Sequence, residues 1–452
     1  MHQSEIRESF LSLHEIENYV ESLCSLSMED IGTLKWFNQH EILEKLNMQA
    51  LVEARIQAEE SVQEKFIFFD KAPLLVELLV LHDLWKECVF PIVAHLVQSK
   101  NAQSFPTYMV MYSMVTIASL LESLTFRSTF CENLDERATD LVDVCHANIV
   151  KMITGRSDKH FQQQKSRISK KSDTPDDAHH QLLQQRLDIE MILSAKSLGI
   201  LCHLIQHAPS ITLSAVCRIC DHHDVPVFLA DLIERNPWKI MDGDQMHKFI
   251  DGEWKPIAPD DRICLTQTEG QMWMALHQCI LGSEFRGKYY LNEHRKNRLL
   301  KVRPLLTEVL LDQIPGLVDV QRCLDMLVFM ETPMPKKGLI IEQAPVVREA
   351  LFSAYKDRWD HLAQCHVNVT CNDHRLLKMV AARMSEIYST ESMDPILPEP
   401  AKCAWCGYAA SRKCSSCKAE WYCRRECQVK HWSKHKEACK LLTQPLYTNS
   451  AQ

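Results

Sequence analysis

The sequence predicts a mainly α protein. It reads as an irregular helical body of the armadillo or HEAT-like solenoid type, with one small β-hairpin, followed by a C-terminal two-zinc finger. Three observations carry this. Only 11 of 452 residues are Gly, about a third of the usual share of roughly 7%, so tight turns and phosphate-cradling loops are scarce. Apolar residues recur at three-to-four spacing along most of the chain, the signature of helices with one buried face. Seven of the 19 cysteines crowd between Cys403 and Cys439. No G-x-x-x-x-G-K-[ST], G-x-G-x-x-G or G-x-S-x-G occurs, which argues against a Gly-rich nucleotide fold and against a serine-hydrolase elbow.

The body is expected over residues 1–392. Its first 20 residues, MHQSEIRESFLSLHEIENYV, mix acids and bases and lack an apolar signal core. The uncharged stretch from Asn101 to Leu121 is broken by polar residues and reads as too polar for a membrane span. Together these predict a cytosolic or nuclear protein. Leu74, Leu75, Leu78, Leu79, Leu81 and Trp85 follow Pro73 at helical spacing, and Pro91 and Pro106 divide the run into separate helices. Residues 155–180 are rich in Gln, Ser and Lys and nearly devoid of apolar side chains, so a flexible polar loop is expected. Its basic run (Lys165, Arg167, Lys170, Lys171) reads as part of a solvated loop rather than a nuclear address.

Helical periodicity resumes from Leu182 to about His207. Between residues 238 and 257 the pairs Asp242-Gly243 and Asp251-Gly252 signal a β-hairpin. Helices are expected again over Gln271–Leu281, Asn297–Gln313, Val318–Met330 and Val346–Tyr388. The Pro-rich segment 393–402 is a stiff linker, the finger spans 403–439, and residues 440–452 form a tail. Charge follows the same division. Between Lys402 and Lys440 there are ten Lys/Arg and three Asp/Glu, a formal +7, which leaves the rest at −15. Seven thiolates and two Zn²⁺ would bring the finger near +4. Its basicity is thus partly compensation for thiolate charge and weak evidence for nucleic-acid binding.

The finger reads Cys403-x₂-Cys406-x₇-Cys414-x₂-Cys417-x₅-Cys423-x₃-Cys427-x₇-His435-x₃-Cys439. Eight ligands suit two tetrahedral structural zinc sites. Each C-x₂-C pair can close on one metal in a tight knuckle, the first helped by Gly407. The Cys423/Cys427 and His435/Cys439 pairs each present two ligands from one helical face. Alternate assignment follows: Cys403, Cys406, Cys423 and Cys427 to one zinc, and Cys414, Cys417, His435 and Cys439 to the other. His431 is a weaker substitute for His435. Trp421, Tyr422 and Trp432 supply either a binding surface or the finger's small core. Cys217-x₂-Cys220 with His222 and His223, and Cys365/His366 with Cys371/His374, resemble half-sites without second halves. Closed zinc sites leave no coordination position for a substrate, so no catalytic residue is assigned.

This spacing, with Tyr422-Cys423 and CQVKHWSKHKEAC from Cys427 to Cys439, resembles the MYND zinc finger, a protein-interaction module that often binds short Pro-rich peptides. Pro395, Leu397, Pro398 and Pro400 approximate such a ligand, although a passive spacer is the simpler reading. The wider chain resembles a family of ciliary proteins with a helical body and a terminal MYND finger. That resemblance rests on EKLNMQALVEA (Glu44 to Ala54), FPTYMVM (Phe105 to Met111), EGQMWMAL (Glu269 to Leu276) and NRLLKVRPLLTEVLLDQIPGL (Asn297 to Leu317). It implies a non-enzymatic adaptor or co-chaperone in cytoplasmic preassembly of axonemal dynein arms. The implied partners are a leucine-rich-repeat assembly factor, an immunophilin, heat-shock chaperones, and dynein intermediate and heavy chains. The implied locations are the cytoplasm, the centriolar satellites and the apical region of ciliated cells. A nuclear corepressor adaptor is the alternative. A lysine methyltransferase with an inserted finger fits poorly, because this finger is terminal and no Gly-rich cofactor turn is present.

Overall fold

The computed structural model describes residues 10–443 apart from 57–59, 101, 152, 154–156, 170–177, 332–343, 372, 388–402, 407, 409, 411 and 418–419. The described chain is mainly helical and divides into two compact units. One is Leu11–Val380; the other is Ala381–Gln452 with Met1–Phe10. The expected linker at 393–402 and the tail beyond Thr443 lie outside the described residues, as does Gly407.

The larger unit opens with α1 (Leu13–Ser22), started by a reciprocal capping box between Ser12 and Glu15. α2 (Leu34–Ile56) and α3 (Ser61–Phe68) follow. α4 (Ala72–Cys88), α5 (Phe90–Lys100) and α6 (Phe105–Thr125) carry Pro73, Pro91 and Pro106 in their first turns. A missing N–H leaves no intrahelical bond unmade there, so proline starts these helices. Next come α7 (Ser128–Glu132), α8 (Arg137–Lys151), α9 (Ser157–Ser169) and α10 (Ala178–Gln206). α11 (Leu213–Cys217) runs into a π turn at Arg218–His222, and α12 (Val225–Arg235) ends the first half.

Two expectations need correction here. Residues 157–169 are helical rather than a loop. Their two apolar-side contacts, His160 and Phe161, are buried, and the partners that bury them lie far along the chain. Trp254 donates its indole N–H to His160 Nδ1 at 2.9 Å, and Asp188 sits 2.8 Å from Nε2. Lys165, from the basic run expected to be solvated, pairs with Asp242, and Lys170 and Lys171 of that run lie outside the described residues. The expected single hairpin is a three-stranded meander of β1 (Lys239–Asp242), β2 (Gln245–Ile250) and β3 (Glu253–Pro256), all antiparallel. Both Asp-Gly pairs turn the chain. Asp251 and Gly252 have φ of 54° and 81°, the double positive φ of a two-residue hairpin loop.

α13 (Gln267–Leu281) begins at a second capping box, Thr266 with Glu269. Buried Glu269 also accepts from Lys248 Nζ on β2 at 2.9 Å and from Asn236 Nδ2 at 2.7 Å, fastening the meander to α12 and α13. The helix expected over 297–313 is two: α14 (Glu293–Leu300) and α15 (Glu308–Gln313). Pro304 cannot continue the first, and Thr307 caps the second by accepting from the Leu310 N–H. α16 (Leu317–Phe329) follows. The run expected over 346–388 is broken into α17 (Val347–Tyr355), α18 (Trp359–His366) with a π turn at Val367–Cys371, and α19 (His374–Ile387).

These helices stack in two rows, as in an irregular solenoid. α2, α6, α10, α13 and α16 pack in succession along one row. α4, α8, α12 and α14 form the other, each against a neighbour in the first. α6 is the one described helix long and apolar enough to cross a membrane by length and composition, despite the polar residues that interrupt it. It is enclosed by α2, α4 and α10, which is why it is apolar on nearly every face. The last body helices return to the first ones: α17 packs on α4, and α18 and its π turn pack on α5 and α6.

Candidate metal centre

The smaller unit holds β4 (Arg412–Lys413), β5 (Trp421–Tyr422) and α20 (Arg425–Thr443). The strands pair antiparallel, Arg412 opposite Tyr422 and Lys413 opposite Trp421. Cys403 and Cys406 flank one turn, and Cys414 and Cys417 another. Each turn is tied to the strands by backbone bonds, Ala404 N–H to Trp421 O at 2.9 Å and Cys414 N–H to Glu420 O at 2.8 Å. Without these short ladders a module this small would have little to orient its knuckles.

The eight residues singled out in the sequence gather into two groups of four. Cys403, Cys406, Cys423 and Cys427 form one, and Cys414, Cys417, His435 and Cys439 the other, with the donor atoms of each within 4.8 Å of one another. In the first group the Sγ separations are 3.4 Å (Cys406 to Cys423), 3.5 Å (Cys423 to Cys427) and 3.8 Å (Cys406 to Cys427). In the second, Cys414 and Cys439 are 3.9 Å apart, and Cys417 Sγ is 3.4 Å from His435 Nε2. A tetrahedral zinc with Zn–S of about 2.3 Å has S···S edges of about 3.8 Å. No pair is a disulfide. The two clusters are geometrically compatible with two Zn²⁺.

The donor chemistry agrees. Hydrogen bonding from Cys406, with burial and the remaining sulfurs of the group, pushes the Cys423 thiol up to about 12. Burial opposes ionisation of Cys403, but the N–H groups of Cys423, Cys406 and Trp405 outweigh it and bring that thiol down to about 6. Cys414 is likewise lowered to about 6, against burial, by the Cys417 N–H and His435. Four sulfurs at these distances cannot all ionise unless a cation shares their charge.

One helical detail departs from expectation. Cys423 lies in the bend before α20 rather than on it, so Cys423 and Cys427 meet across a helix start. The Cys427 N–H closes that start on Arg424 O at 3.2 Å. Further along, Cys427 and Cys439 are 12 residues apart, about 18 Å of helix, so α20 serves both clusters. His431 lies between them. Its Nδ1 is 3.0 Å from the Tyr422 hydroxyl and its ring stacks on His435 with centroids 5.9 Å apart, so it supports the site without joining either group. Tyr422 is the finger's core residue, 1% exposed among the buried cysteines. Burial, with Glu420 and the thiolates, pushes its phenol up to about 12. Trp421 is half-buried under the Lys413 ammonium, 4.7 Å from its ring, whereas Trp432 is 41% exposed.

A groove of about 490 Å³ opens beside this shell. Arg412, Lys413, Arg424 and Arg425 line it with Gln428, Val429 and Trp432, and among the described residues no acidic side chain lines it. Nothing in the spacing of the ligands announced it, because its walls come from both strands and from one face of α20.

The weaker sequence candidates do not assemble. Cys217 and Cys220 are buried, and His223 pairs with Asp143 at 2.7 Å. Cys371 and His366 both lie against the Thr107 hydroxyl, Cys365 is exposed, and the His374 side chain lies outside the described residues. Neither set forms a metal-ligand group among the described residues.

No solved structure matches the chain. A stretch of 74 residues is 31% identical to ubiquitin carboxyl-terminal hydrolase 17 of Arabidopsis thaliana, covering 14% of this chain and 10% of that protein. The whole chain is 28% identical to the zinc finger MYND domain-containing protein 10 homolog of Drosophila melanogaster, over 95% of this chain and 99% of that one. Residues 403–439 match the MYND finger family, and the chain is homologous along its length to a zinc-finger MYND domain protein.

Proposed function

We propose that the eight ligands hold two structural Zn²⁺ and that the chain is a non-enzymatic adaptor whose finger docks a protein partner. The observation that carries this is the groove with four basic side chains and the exposed Trp432, built on a shell with every ligand position filled. Filled tetrahedral sites stabilise a fold and offer no position for a substrate. An aromatic side chain ringed by cations is the composition of a recognition surface.

The similarity to the Drosophila zinc-finger MYND protein over nearly the whole of both chains supports a finer reading. On that reading the protein is a co-chaperone in cytoplasmic preassembly of axonemal dynein arms. The finger docks one assembly partner, and the helical body contacts dynein chains or heat-shock chaperones.

Affinity purification from ciliated cells, comparing the intact chain with one truncated after Pro400, tests both levels. Dynein chains and chaperones with the intact protein support the assembly role, and partners lost on truncation belong to the finger. Chromatin regulators in their place, with no dynein in either sample, would transfer the reading to a nuclear corepressor adaptor.

A further inference from the structure

α17 sits on α4 with little apolar surface to hold it. Val347 is its one buried residue, at 9% exposed, and Phe352 is left 46% exposed. A cavity of about 430 Å³ lies along one flank, walled by Val80 of α4, Val144 and Ala147 of α8, and Phe352. A second, of about 260 Å³, lies along the other, between Ala350 of α17 and Leu74, Leu78 and Leu81 of α4. Unfilled space on both flanks forfeits dispersion contacts. A helix with few buried apolar contacts opens locally before the rest of its fold.

What fixes α17 is polar. Arg348 Nη1 pairs with Asp83 Oδ2 at 2.9 Å, and its Nη2 reaches Glu87 Oε2. The Val347 N–H donates to Asp140 Oδ1 at 3.0 Å. The Arg348 side chain is 45% exposed, so water and salt screen both of its pairs. None of the three carboxylates depends on α17 alone. Lys86 lies 2.9 Å from Asp83 Oδ1, Lys151 lies 2.9 Å from Glu87 Oε1, and Arg137 lies 3.6 Å from Asp140 Oδ2. Lifting α17 therefore strands no buried charge, the usual penalty for breaking such contacts. The two lysines also leave Asp83 Oδ2 and Glu87 Oε2 to the two Nη groups of one guanidinium, a fork that an ammonium cannot match.

We propose that α17 is a displaceable occupant of its own seat, and that the uncovered face of α4 and α8 docks a partner helix bearing an aliphatic residue followed by arginine. Val347 and Arg348 are that pair in α17, and the seat is already shaped to them. A partner with bulkier apolar side chains gains the contacts that α17 forgoes, because it fills the flanking cavities. This deepens the adaptor reading, on which it rests for the source of the partner helix. The body would hold a docking site that its own chain keeps covered, separate from the finger.

The test uses the intact chain. Hydrogen exchange read by mass spectrometry should find the amides of α17 about a hundredfold or more less protected than those of α4. Arg348→Ala, or roughly 0.5 M NaCl with the unaltered protein, should lower α17 protection about tenfold further while α4 and α8 stay as they were. A fluorescein-labelled peptide of residues 344–358, followed by anisotropy, probes the seat itself. It should bind the Arg348→Ala chain about tenfold tighter than the unaltered chain, whose seat is occupied. The same peptide with Arg348→Lys should bind more weakly, and with Ala350→Leu more tightly. The proposal is overturned if α17 is as protected as α4, if the peptide binds neither chain or both alike, or if neither peptide substitution changes its affinity. Dynein absent from co-purifications while the peptide still binds would count against the adaptor role alone.

Discussion

The Thr370 hydroxyl donates to the carbonyl of Gly32 at 3.0 Å, joining positions 338 residues apart. Gly32 has φ of +85°, and a Cβ there would stand 2.8 Å from His366 Nδ1 and 2.9 Å from Thr370 Oγ1. The returning π turn therefore sits where only a glycine lets it approach. Gly32→Ala should cost about 1–2 kcal/mol for the left-handed backbone alone, and more for displacing His366. The urea midpoint of the body should fall, and the loss should shrink in a Thr370→Ala background, where one of the two clashes is absent. Equal losses in both backgrounds would deny the contact.

A second tie closes the same ends. Asp83 and Lys86 on α4 are buried, 1% and 0% exposed, and pair at 2.9 Å. Arg348 on α17 reaches Asp83 at 2.9 Å, and Lys151 on α8 lies 3.6 Å away. Burial works against the Asp83 charge, but Lys86, Lys151 and Arg348 together hold its carboxyl well below the usual range. Asp83→Ala should destabilise by about 3–5 kcal/mol, because it leaves Lys86 buried without its counter-ion. Asp83→Leu with Lys86→Met should cost less than that single change. Chemical denaturation of the set gives the comparison, and a double variant as damaged as Asp83→Ala would refute it.

The legibility of the chain followed the range of its interactions. The ligand groups could be read because each metal-binding pair is local in sequence, and alternate assignment was the simplest way to join four pairs. The meander was half legible: both Asp-Gly pairs stood out, yet counting them as two turns needed the pairing of β1 with β2. α9 was missed because its sequence is polar, and what makes it a helix with a buried side is Trp254 and Phe249 arriving from the meander. The return of α17 and α18 to α4 and α5 depends on contacts more than 250 residues apart, such as Lys100 to Gln364 at 2.9 Å. Helical periodicity carries no information about such partners.

Acid should unfold the body in a window set by five imidazoles that burial lowers to about 4: His146, His203 and three more deeply buried rings. His40, His82 and His366 are 2%, 2% and 4% exposed, and burial lowers each to about 4. His40 stacks on Trp36, and His82 accepts the Trp36 indole N–H at 2.8 Å. In the unfolded chain these rings titrate near 6.5, so between about pH 6.5 and 4 the unfolded state binds more protons. Stability is complete above that window and falls as the pH drops through it, at up to about 1.4 kcal/mol per pH unit for each ring. Urea midpoints followed from pH 7.5 to 4.5 should decline, and the decline should flatten in a His40→Gln variant. A pH-independent midpoint would exclude the mechanism.

Opening one cluster should separate the finger from the body. Cys406 contributes to the first group alone, but α20 supplies Cys427 to that group and His435 and Cys439 to the other. Cys406→Ala should reduce zinc from two per chain to at most one and loosen α20. The body's denaturation midpoint should not move, because its core is built from residues 11–380. Metal analysis beside urea unfolding reads both. Two zinc ions retained, or a shifted body transition, would contradict the division.

The finger groove makes the sharpest distinction between a structural and a recognition role. Tyr422 is buried among the sulfurs, so Tyr422→Ala should cost zinc and fold together. Trp432 is exposed at the groove, and Arg424 and Arg425 are exposed beside it. Trp432→Ala should therefore leave two zinc ions in place while weakening a finger-dependent partner by tenfold or more, as loss of an aromatic anchor does. Reversing charge at Arg425 alone should slow association and reduce its salt dependence, because a rim charge acts mainly on encounter. Arg425 is the better choice for that test, since Arg424 also leans on the Cys427 sulfur and its loss would disturb a ligand. If Trp432→Ala releases zinc, the ring is part of the core. If it changes neither zinc nor partner, the groove is not where the finger docks.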